Sequence, residues 1–165
     1  TWDIASTGDD PLHFSFIGTM GQAAPFALGL AIAQPNKRVV LFAGDGELLM
    51  SLGILATIAN HPPGNLAIVS LDNESYGETG GQPTATAGPT DLEAVAKGCG
   101  FSQTCTASSE KDLDAVCDQI WTVKGPVFIN LKIVAGPSPL VFPYSFDGAT
   151  AMNRFRDAVN NPGKS

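Results

Sequence analysis

Positive charge is scarce in this sequence. Its 165 residues include 9 Lys and Arg against 16 Asp and Glu, which gives a formal net charge of −7 at pH 7. Such a surface repels nucleic-acid backbones and anionic lipids, so we expect it to bind neither. No Lys or Arg lies between Arg38 and Lys97. An anionic ligand bound by that stretch must therefore be neutralised by something other than a local basic side chain.

Cysteines and long apolar runs are also few. The three cysteines, Cys99, Cys105 and Cys117, form no CxxC pair, which argues against a disulfide framework, a structural zinc site and an iron–sulfur cluster. No apolar run approaches the ~20 residues that a membrane span requires, and no basic and apolar leader opens the sequence. We therefore expect a cytoplasmic protein with reduced cysteines. The length predicts a single domain over residues 1–165.

Apolar runs of strand length alternate with helical segments along the chain. The runs at 38–43 and 65–71 are continuous rather than alternating, which is typical of strands covered by helices on both faces. The pattern predicts an α/β fold, doubly wound, with a mainly parallel sheet and helices on both faces. The predicted strands are 14–17, 38–43, 65–71, 101–106 and 127–134. The predicted helices are 22–34, 47–60, 91–97, 111–123 and 149–159.

Two strand ends carry the residues best suited to ligand binding. The sequence GDG at 44–46 follows the strand 38–43, and Asp72 and Asn73 follow the next strand. Taken separately, each is more often a turn or the start of a loop than a binding site. In parallel sheets, however, ligands bind at the carboxyl ends of the strands. Backbone N–H groups beside the glycines can hold a phosphate, and Asp45 and Asn73 offer oxygen ligands for Mg²⁺. Together they predict a metal–diphosphate ligand.

The same residues resemble a known cofactor motif. The GDG at 44–46, followed after 25 residues by Asp72 and Asn73, is similar to the motif of thiamine diphosphate-dependent enzymes. The longer strings GDGELLMSLGILATIA and NLAIVSLDNESYGETGGQPT most closely resemble the sulfopyruvate and phosphonopyruvate decarboxylases of that family. There they belong to the beta subunit or to the C-terminal, diphosphate-binding (PP) half. The resemblance implies a PP domain that binds thiamine diphosphate and Mg²⁺.

The resemblance also implies roles for single residues. Asp45 and Asn73 would ligate Mg²⁺ through their side chains, and Ser75 would do so through its backbone carbonyl. The diphosphate and the adjoining part of the cofactor would contact Gly44, Gly46, Glu47, Leu48, Tyr76 and Gly77. The aminopyrimidine would contact Gly18 and Thr19, and Met20 would hold the cofactor in a bent conformation. Without the motif, Met20 would be interpreted as a core methionine.

The resemblance implies a subunit of a two-chain 2-oxo acid decarboxylase. Glu78 and Gln82 are expected to line its active site. The glutamate that activates the cofactor is expected on a pyrimidine-binding domain of a partner chain, in a hetero-oligomer. Two alternatives stay open: a carboligase of acyloin or acetolactate type that uses the same cofactor, and a non-catalytic scaffold that keeps the fold. The acidic pair Asp9 and Asp10 argues against a doubly charged substrate such as sulfopyruvate, so the choice of 2-oxo acid is open as well.

Overall fold

The computed structural model describes residues 2–136 and 140–161. They divide into two compact units, a larger one of residues 20–135 and a smaller one of residues 2–19, 136 and 140–161. Within the described residues, no helix is long and apolar enough to cross a membrane, and the three cysteines are free thiols. A single domain over residues 1–165 stays a prediction.

A parallel sheet of four strands forms the centre of the larger unit. The strands of this unit are β1 (Val39–Gly44), β2 (Leu66–Asp72), β3 (Ser75–Tyr76), β4 (Gln82–Pro83), β5 (Gln103–Ala107) and β6 (Val127–Lys132). The sheet has the order β1-β2-β6-β5, and β3 and β4 form a separate antiparallel pair. Gly44 lies beside Leu71, and Asp72 lies beside Lys132. The carboxyl ends of β1, β2 and β6 therefore meet at one edge of the sheet.

Helices cover both faces of this sheet. The helices of the chain are α1 (Trp2–Ser6), α2 (Ala23–Ala33), α3 (Asp45–Leu49), α4 (Ile54–Asn60), α5 (Leu92–Cys99), α6 (Leu113–Thr122) and α7 (Gly148–Asn160). In β2, Leu66 and Ile68 pack in one core with residues of α2, α4 and α5, whereas Ala67 and Val69 pack in another with residues of α6. Because neighbouring strand residues point to opposite faces, a strand buried on both faces is apolar throughout. The predicted fold class is confirmed.

Two of the predicted elements are wrong. Residues 14–17 form no strand, and the rings of Phe14 and Phe16 instead meet edge to face at 5.2 Å. The predicted helix 47–60 is interrupted, since α3 ends at Leu49 and α4 begins at Ile54. A turn between them is closed by the Ile54 N–H, which donates to the Ser51 carbonyl at 2.8 Å. Glycine costs about 1 kcal/mol in a helix interior, and Gly53 lies at this break.

In the smaller unit, an ion pair joins the N-terminal segment to α7. The guanidinium of Arg154 donates to both carboxylate oxygens of Asp9 at 2.7 Å each, and it lies 3.9 Å from the centre of the Tyr144 ring. The hydrogen bond from Arg154 holds the pKa of Asp9 below its usual range. Asp9 therefore carries a charge that is already paired within its own unit.

Candidate active site

Asp45, directly after β1, is a carboxylate with almost no exposed surface. It is the first residue of α3, and only 1% of it is exposed. One oxygen, Oδ2, accepts hydrogen bonds from Thr84 Oγ1 at 2.5 Å and from Thr86 Oγ1 at 3.0 Å. Among the described residues, no group donates to the other oxygen, Oδ1. Asp45 is thus held on one side and has an oxygen left for a further ligand.

A second buried carboxylate, Asp72, continues this network at the end of β2. Its Oδ1 accepts from Thr86 Oγ1 at 2.7 Å, while its Oδ2 lies 3.1 Å from Asn130 Nδ2 and 2.9 Å from Lys132 Nζ. Burial opposes its ionisation, but the bonds from Lys132, Thr86 and Asn130 outweigh this and lower the pKa of Asp72. Lys132 also binds Glu74 at 2.7 Å. The charge of Asp72 is therefore balanced by Lys132, whereas Asp45 has no cationic partner among the described residues.

Asn73 and Ser75 form a tight turn directly after β2. The Asn73 Oδ1 accepts from the Ser75 N–H at 3.0 Å, and the Asp72 Oδ1 accepts from the Glu74 N–H at 3.2 Å. Glu74, at the bend, has a positive φ of 60°, which an Asx-type turn can impose on a residue that is not glycine. Since β1 and β2 are adjacent and parallel, the turn follows the neighbouring strand at the same sheet edge as Asp45.

Gly46 brings Met20 and Tyr76 together. A Cβ placed on Gly46 would lie 2.5 Å from Tyr76 Cε1 and 3.5 Å from Met20 Cε. A larger residue at this position would require the Tyr76 ring to shift. Met20 is 47% exposed, so its interpretation as a core methionine is wrong. Gly46, Met20 and Tyr76, three of the residues for which the resemblance implied cofactor contacts, thus adjoin one another. Leu48, another of these residues, is buried in the core with 1% exposure.

The side chain of Glu47 has a structural partner. Its Oε2 accepts from the Gly21 N–H at 2.6 Å, and its Oε1 accepts from the Ala23 N–H at 3.0 Å. Ala23 begins α2, where backbone N–H groups lack partners within the helix. Gly21 has a φ of 88° and packs against Met50 just after α3. Glu47 therefore connects the segment of Met20 to the segment of Asp45 and Gly46.

The remaining predicted residues are exposed. Gly18 and Thr19 belong to the smaller unit, and Gly18 has a φ of 74°. Gly77 and Glu78 lie at the tip of the β3–β4 hairpin, which is closed by Gln82: its Nε2 donates to the Thr79 carbonyl at 2.8 Å. The structure therefore places Glu78 and Gln82 on a surface hairpin next to Tyr76.

Comparison with known proteins decides the family. Residues 6–131 match the family described as thiamine pyrophosphate enzyme, C-terminal TPP binding domain. The chain belongs to this family. Its members bind thiamine pyrophosphate, which is thiamine diphosphate, so the predicted family and this part of the cofactor prediction are confirmed.

The relatives of this thiamine pyrophosphate-binding domain include named decarboxylases. A phosphonopyruvate decarboxylase of Streptomyces viridochromogenes is 36% identical over 97% of this chain and 40% of its own length. A sulfopyruvate decarboxylase subunit beta of Methanothermobacter thermautotrophicus is 42% identical over 81% of this chain and 69% of its own length. A transketolase structure from Campylobacter jejuni, 18% identical, shares the fold with a TM-score of 0.59 over 70% of this chain and 20% of that one. The chain spans about two fifths of the phosphonopyruvate decarboxylase that it matches.

The oxygen atoms at this edge of the sheet are of the kind that Mg²⁺ accepts as ligands. No three His, Cys, Asp or Glu side chains come together as a metal site in the described ranges, so carboxylates alone do not supply a ligand set. Asp45 Oδ1, the Asn73 amide oxygen and the Ser75 carbonyl would each provide one hard oxygen from two adjacent strand ends. Mg²⁺ prefers such oxygens and completes its shell with water and phosphate.

Sequence reasoning missed the residues that bind the carboxylates of Asp45 and Asp72. Thr84, Thr86, Asn130 and Lys132 had no predicted role, and Asp72 was only the first half of a motif. One signal was present, because Asn130 interrupts the apolar run VFINL of β6, and a polar residue in a fully buried strand requires a partner. The two threonines lie in a segment without periodicity and gave no such signal.

We predict that Met20→Ala lowers turnover far more than stability. Because Met20 is half exposed, its truncation should change the free energy of unfolding by less than about 1 kcal/mol. Its Sδ–Cε end lies at Gly46, so losing it should misplace the cofactor and reduce kcat on the order of 100-fold. Denaturant unfolding and steady-state kinetics of the assembled enzyme measure the two effects. Met50→Ala, also an exposed methionine, is the control, and a kcat that follows only the folded fraction contradicts the prediction.

Proposed function

We propose that this chain is the diphosphate-binding subunit of a thiamine diphosphate- and Mg²⁺-dependent 2-oxo acid decarboxylase. The observation that carries the proposal is the position of Asp45. It is a buried carboxylate with one oxygen that accepts no hydrogen bond from a described residue, at the same sheet edge as Asn73, in a stretch without Lys or Arg. A diphosphate can be bound there if a divalent cation supplies the missing positive charge.

Each residue of the proposed site has a separate task. Asp45, Asn73 and Ser75 hold the cation, and the backbone of Gly44, Gly46, Glu47 and Leu48 receives the diphosphate. Gly18, Thr19 and Met20 contact the aminopyrimidine, Tyr76 and Gly77 adjoin the cofactor, and Glu78 and Gln82 line the substrate side. When bound, thiamine diphosphate supplies the carbon nucleophile and the electron sink. In the overall reaction the C1–C2 bond of the 2-oxo acid breaks, C1 leaves as CO₂, and C2 takes up a proton to give an aldehyde.

The substrate proposed is a 2-oxo acid with a second anionic group, as in sulfopyruvate or phosphonopyruvate. The named relatives act on these two acids. The objection from the acidic pair is weaker than the sequence suggests, because Arg154 neutralises Asp9. Of the two aspartates, only Asp10 then keeps a negative charge that no ion pair balances among the described residues.

The activating glutamate is proposed to belong to a pyrimidine-binding domain on a partner chain. Three glutamates of this chain are engaged elsewhere: Glu47 with the Gly21 and Ala23 N–H groups, Glu74 with Lys132, and Glu93 with Lys97. The relative from Methanothermobacter thermautotrophicus is named as a beta subunit, which agrees with a hetero-oligomer. With free cysteines in its described part, the protein is proposed to act in the cytoplasm.

We predict that this chain releases no CO₂ from 2-oxo acids until the pyrimidine-domain subunit is added. The assay combines the purified chain, thiamine diphosphate and Mg²⁺ with pyruvate, sulfopyruvate or phosphonopyruvate, and measures CO₂ and aldehyde before and after the addition. We expect turnover only with both subunits and mainly on the acids with a second anion. The single-subunit mixture is the matched control.

The other outcomes separate the alternatives. Full turnover by this chain alone contradicts the partner assignment. Acyloin or acetolactate formation in place of free aldehyde identifies a carboligase. Cofactor binding by the assembled subunits without product from any of the acids identifies a scaffold.

A further inference from the structure

Two threonines from the loop after the hairpin are the only described side chains that hold Asp45. Thr84 and Thr86 are each 5% exposed, and both direct Oγ1 at the same carboxylate oxygen, Oδ2. A carboxylate without such bonds can turn about its last torsion and exchange its two oxygens. Hydrogen bonding at Oδ2 opposes this exchange, and it leaves Oδ1 as the oxygen to which no described group donates.

The protons of these hydroxyls are unequally divided. Thr84 and Thr86 have one hydroxyl proton each, but their oxygens make four close contacts: two with Asp45, one with Asp72 at 2.7 Å and one with each other at 2.8 Å. Thr86 lies closer to Asp72 than to Asp45, so its proton belongs mainly to Asp72. Thr84, at 2.5 Å, is therefore the principal donor to Asp45.

Thr84 also bonds to the turn that follows β2. Its backbone N–H donates to the Glu74 carbonyl at 3.0 Å, and Glu74 lies between Asn73 and Ser75. One residue thus bonds to Asp45 through its side chain and to the turn of Asn73 and Ser75 through its backbone. It fixes the distance between the two halves of the proposed ligand set.

We propose that Thr84, assisted by Thr86, is a positioning residue for the divalent cation. It orients Asp45 so that Oδ1 faces the metal, and it keeps the turn of Asn73 and Ser75 beside Asp45. This inference rests on the proposed function, because it presupposes that Asp45 is a metal ligand. Hydrogen-bonded partners of metal ligands typically change metal affinity about 10- to 100-fold when they are removed.

The test is a Mn²⁺ titration of the assembled enzyme in the presence of thiamine diphosphate, with free Mn²⁺ measured by electron paramagnetic resonance. Mn²⁺ stands in for Mg²⁺ because both accept octahedral oxygen ligands. We expect Thr84→Val to raise the Mn²⁺ Kd about 10- to 100-fold. Thr86→Val should raise it less, and Thr84→Ser, which keeps the hydroxyl, should restore nearly wild-type affinity.

Thr106→Val is the matched control. Thr106 Oγ1 also donates to a carboxylate, Glu93 Oε2, at 2.6 Å. It lies on β5, however, and β5 and β1 are the two outermost strands of the sheet. Its removal should leave the Mn²⁺ Kd unchanged. Denaturant unfolding of the metal-free variants separates lost stability from lost affinity.

The outcomes distinguish this inference from the proposed function. A wild-type Mn²⁺ Kd in folded Thr84→Val, with or without lost stability, overturns the positioning role and leaves the proposed function intact. Absence of Mn²⁺ binding to the wild-type enzyme overturns both. If Thr84→Val does not fold, the titration of Thr86→Val decides instead: a raised Kd supports the positioning role and an unchanged Kd overturns it.

Discussion

Asp45→Asn is expected to abolish the Mg²⁺ dependence of thiamine diphosphate binding. The amide keeps the shape of the buried side chain but lacks the charge that would attract the cation, and the region from 39 to 96 contains no Lys or Arg to replace it. Since removing a supporting hydrogen bond costs about 10- to 100-fold in metal affinity, loss of the ligand's own charge should cost at least as much. Calorimetric titrations of the assembled enzyme with thiamine diphosphate, in Mg²⁺ and in EDTA, measure the cofactor Kd under each condition.

Glu74→Ala is the matched control for this result. Glu74 is also an acidic residue at this sheet edge, but its carboxylate is exposed and paired with Lys132. We expect this variant to bind the cofactor with wild-type affinity in Mg²⁺, and to lose affinity in EDTA as the wild-type enzyme does. Equal affinity of the wild-type enzyme in Mg²⁺ and in EDTA contradicts the metal assignment, whatever the variants do.

Gly46→Ala is expected to weaken cofactor binding without unfolding the chain. Its new Cβ would lie 2.5 Å from a carbon of the Tyr76 ring, so that ring must move, whereas the end of Met20 at 3.5 Å stays in ordinary van der Waals contact. Overpacking of this kind costs about 1–3 kcal/mol, and each 1.4 kcal/mol is about ten-fold in affinity. We therefore expect a cofactor Kd raised about ten-fold or more, measured by the same calorimetric titration.

Gly29→Ala separates this effect from a general effect of helical glycine. Gly29 lies in α2, is exposed, and would place its Cβ where no atom lies within 4 Å. Alanine there should stabilise the fold by about 0.5–1 kcal/mol and leave cofactor affinity unchanged. Unchanged affinity in Gly46→Ala would show that the Tyr76 ring is not part of the cofactor site.

The parts of the site that the sequence predicted are those encoded by short segments. Asp45 and Asn73 were predicted as metal ligands because each lies next to a strand end and because parallel strands bring such ends to one edge. The buried strands were recognised because burial on both faces requires a continuous apolar run. In both cases the pattern that supports the prediction lies within a few residues of the strand or strand end that it predicts.

The contacts that the sequence could not predict join distant segments. Thr84 and Thr86 meet Asp45 across 39 and 41 residues of chain, and no local pattern indicates which threonine of a loop turns inward. Glu47 was given only an implied contact with the cofactor, and its structural partners could not be predicted because they lie 24 and 26 residues earlier. The break between α3 and α4 was missed for a different reason, since seven apolar residues outweighed one glycine in the pattern.

The two bonds that Glu47 accepts also affect the entropy of ligand binding. A segment such as Met20–Ala23 would otherwise lose backbone freedom on contact with a ligand, at about 1–2 kcal/mol per residue fixed. Here its Gly21 and Ala23 N–H groups are already fixed to α3, so that loss occurs when the chain folds. A cofactor bound there as proposed would meet a surface that is ordered before it arrives, and more of the contact energy would be retained as affinity.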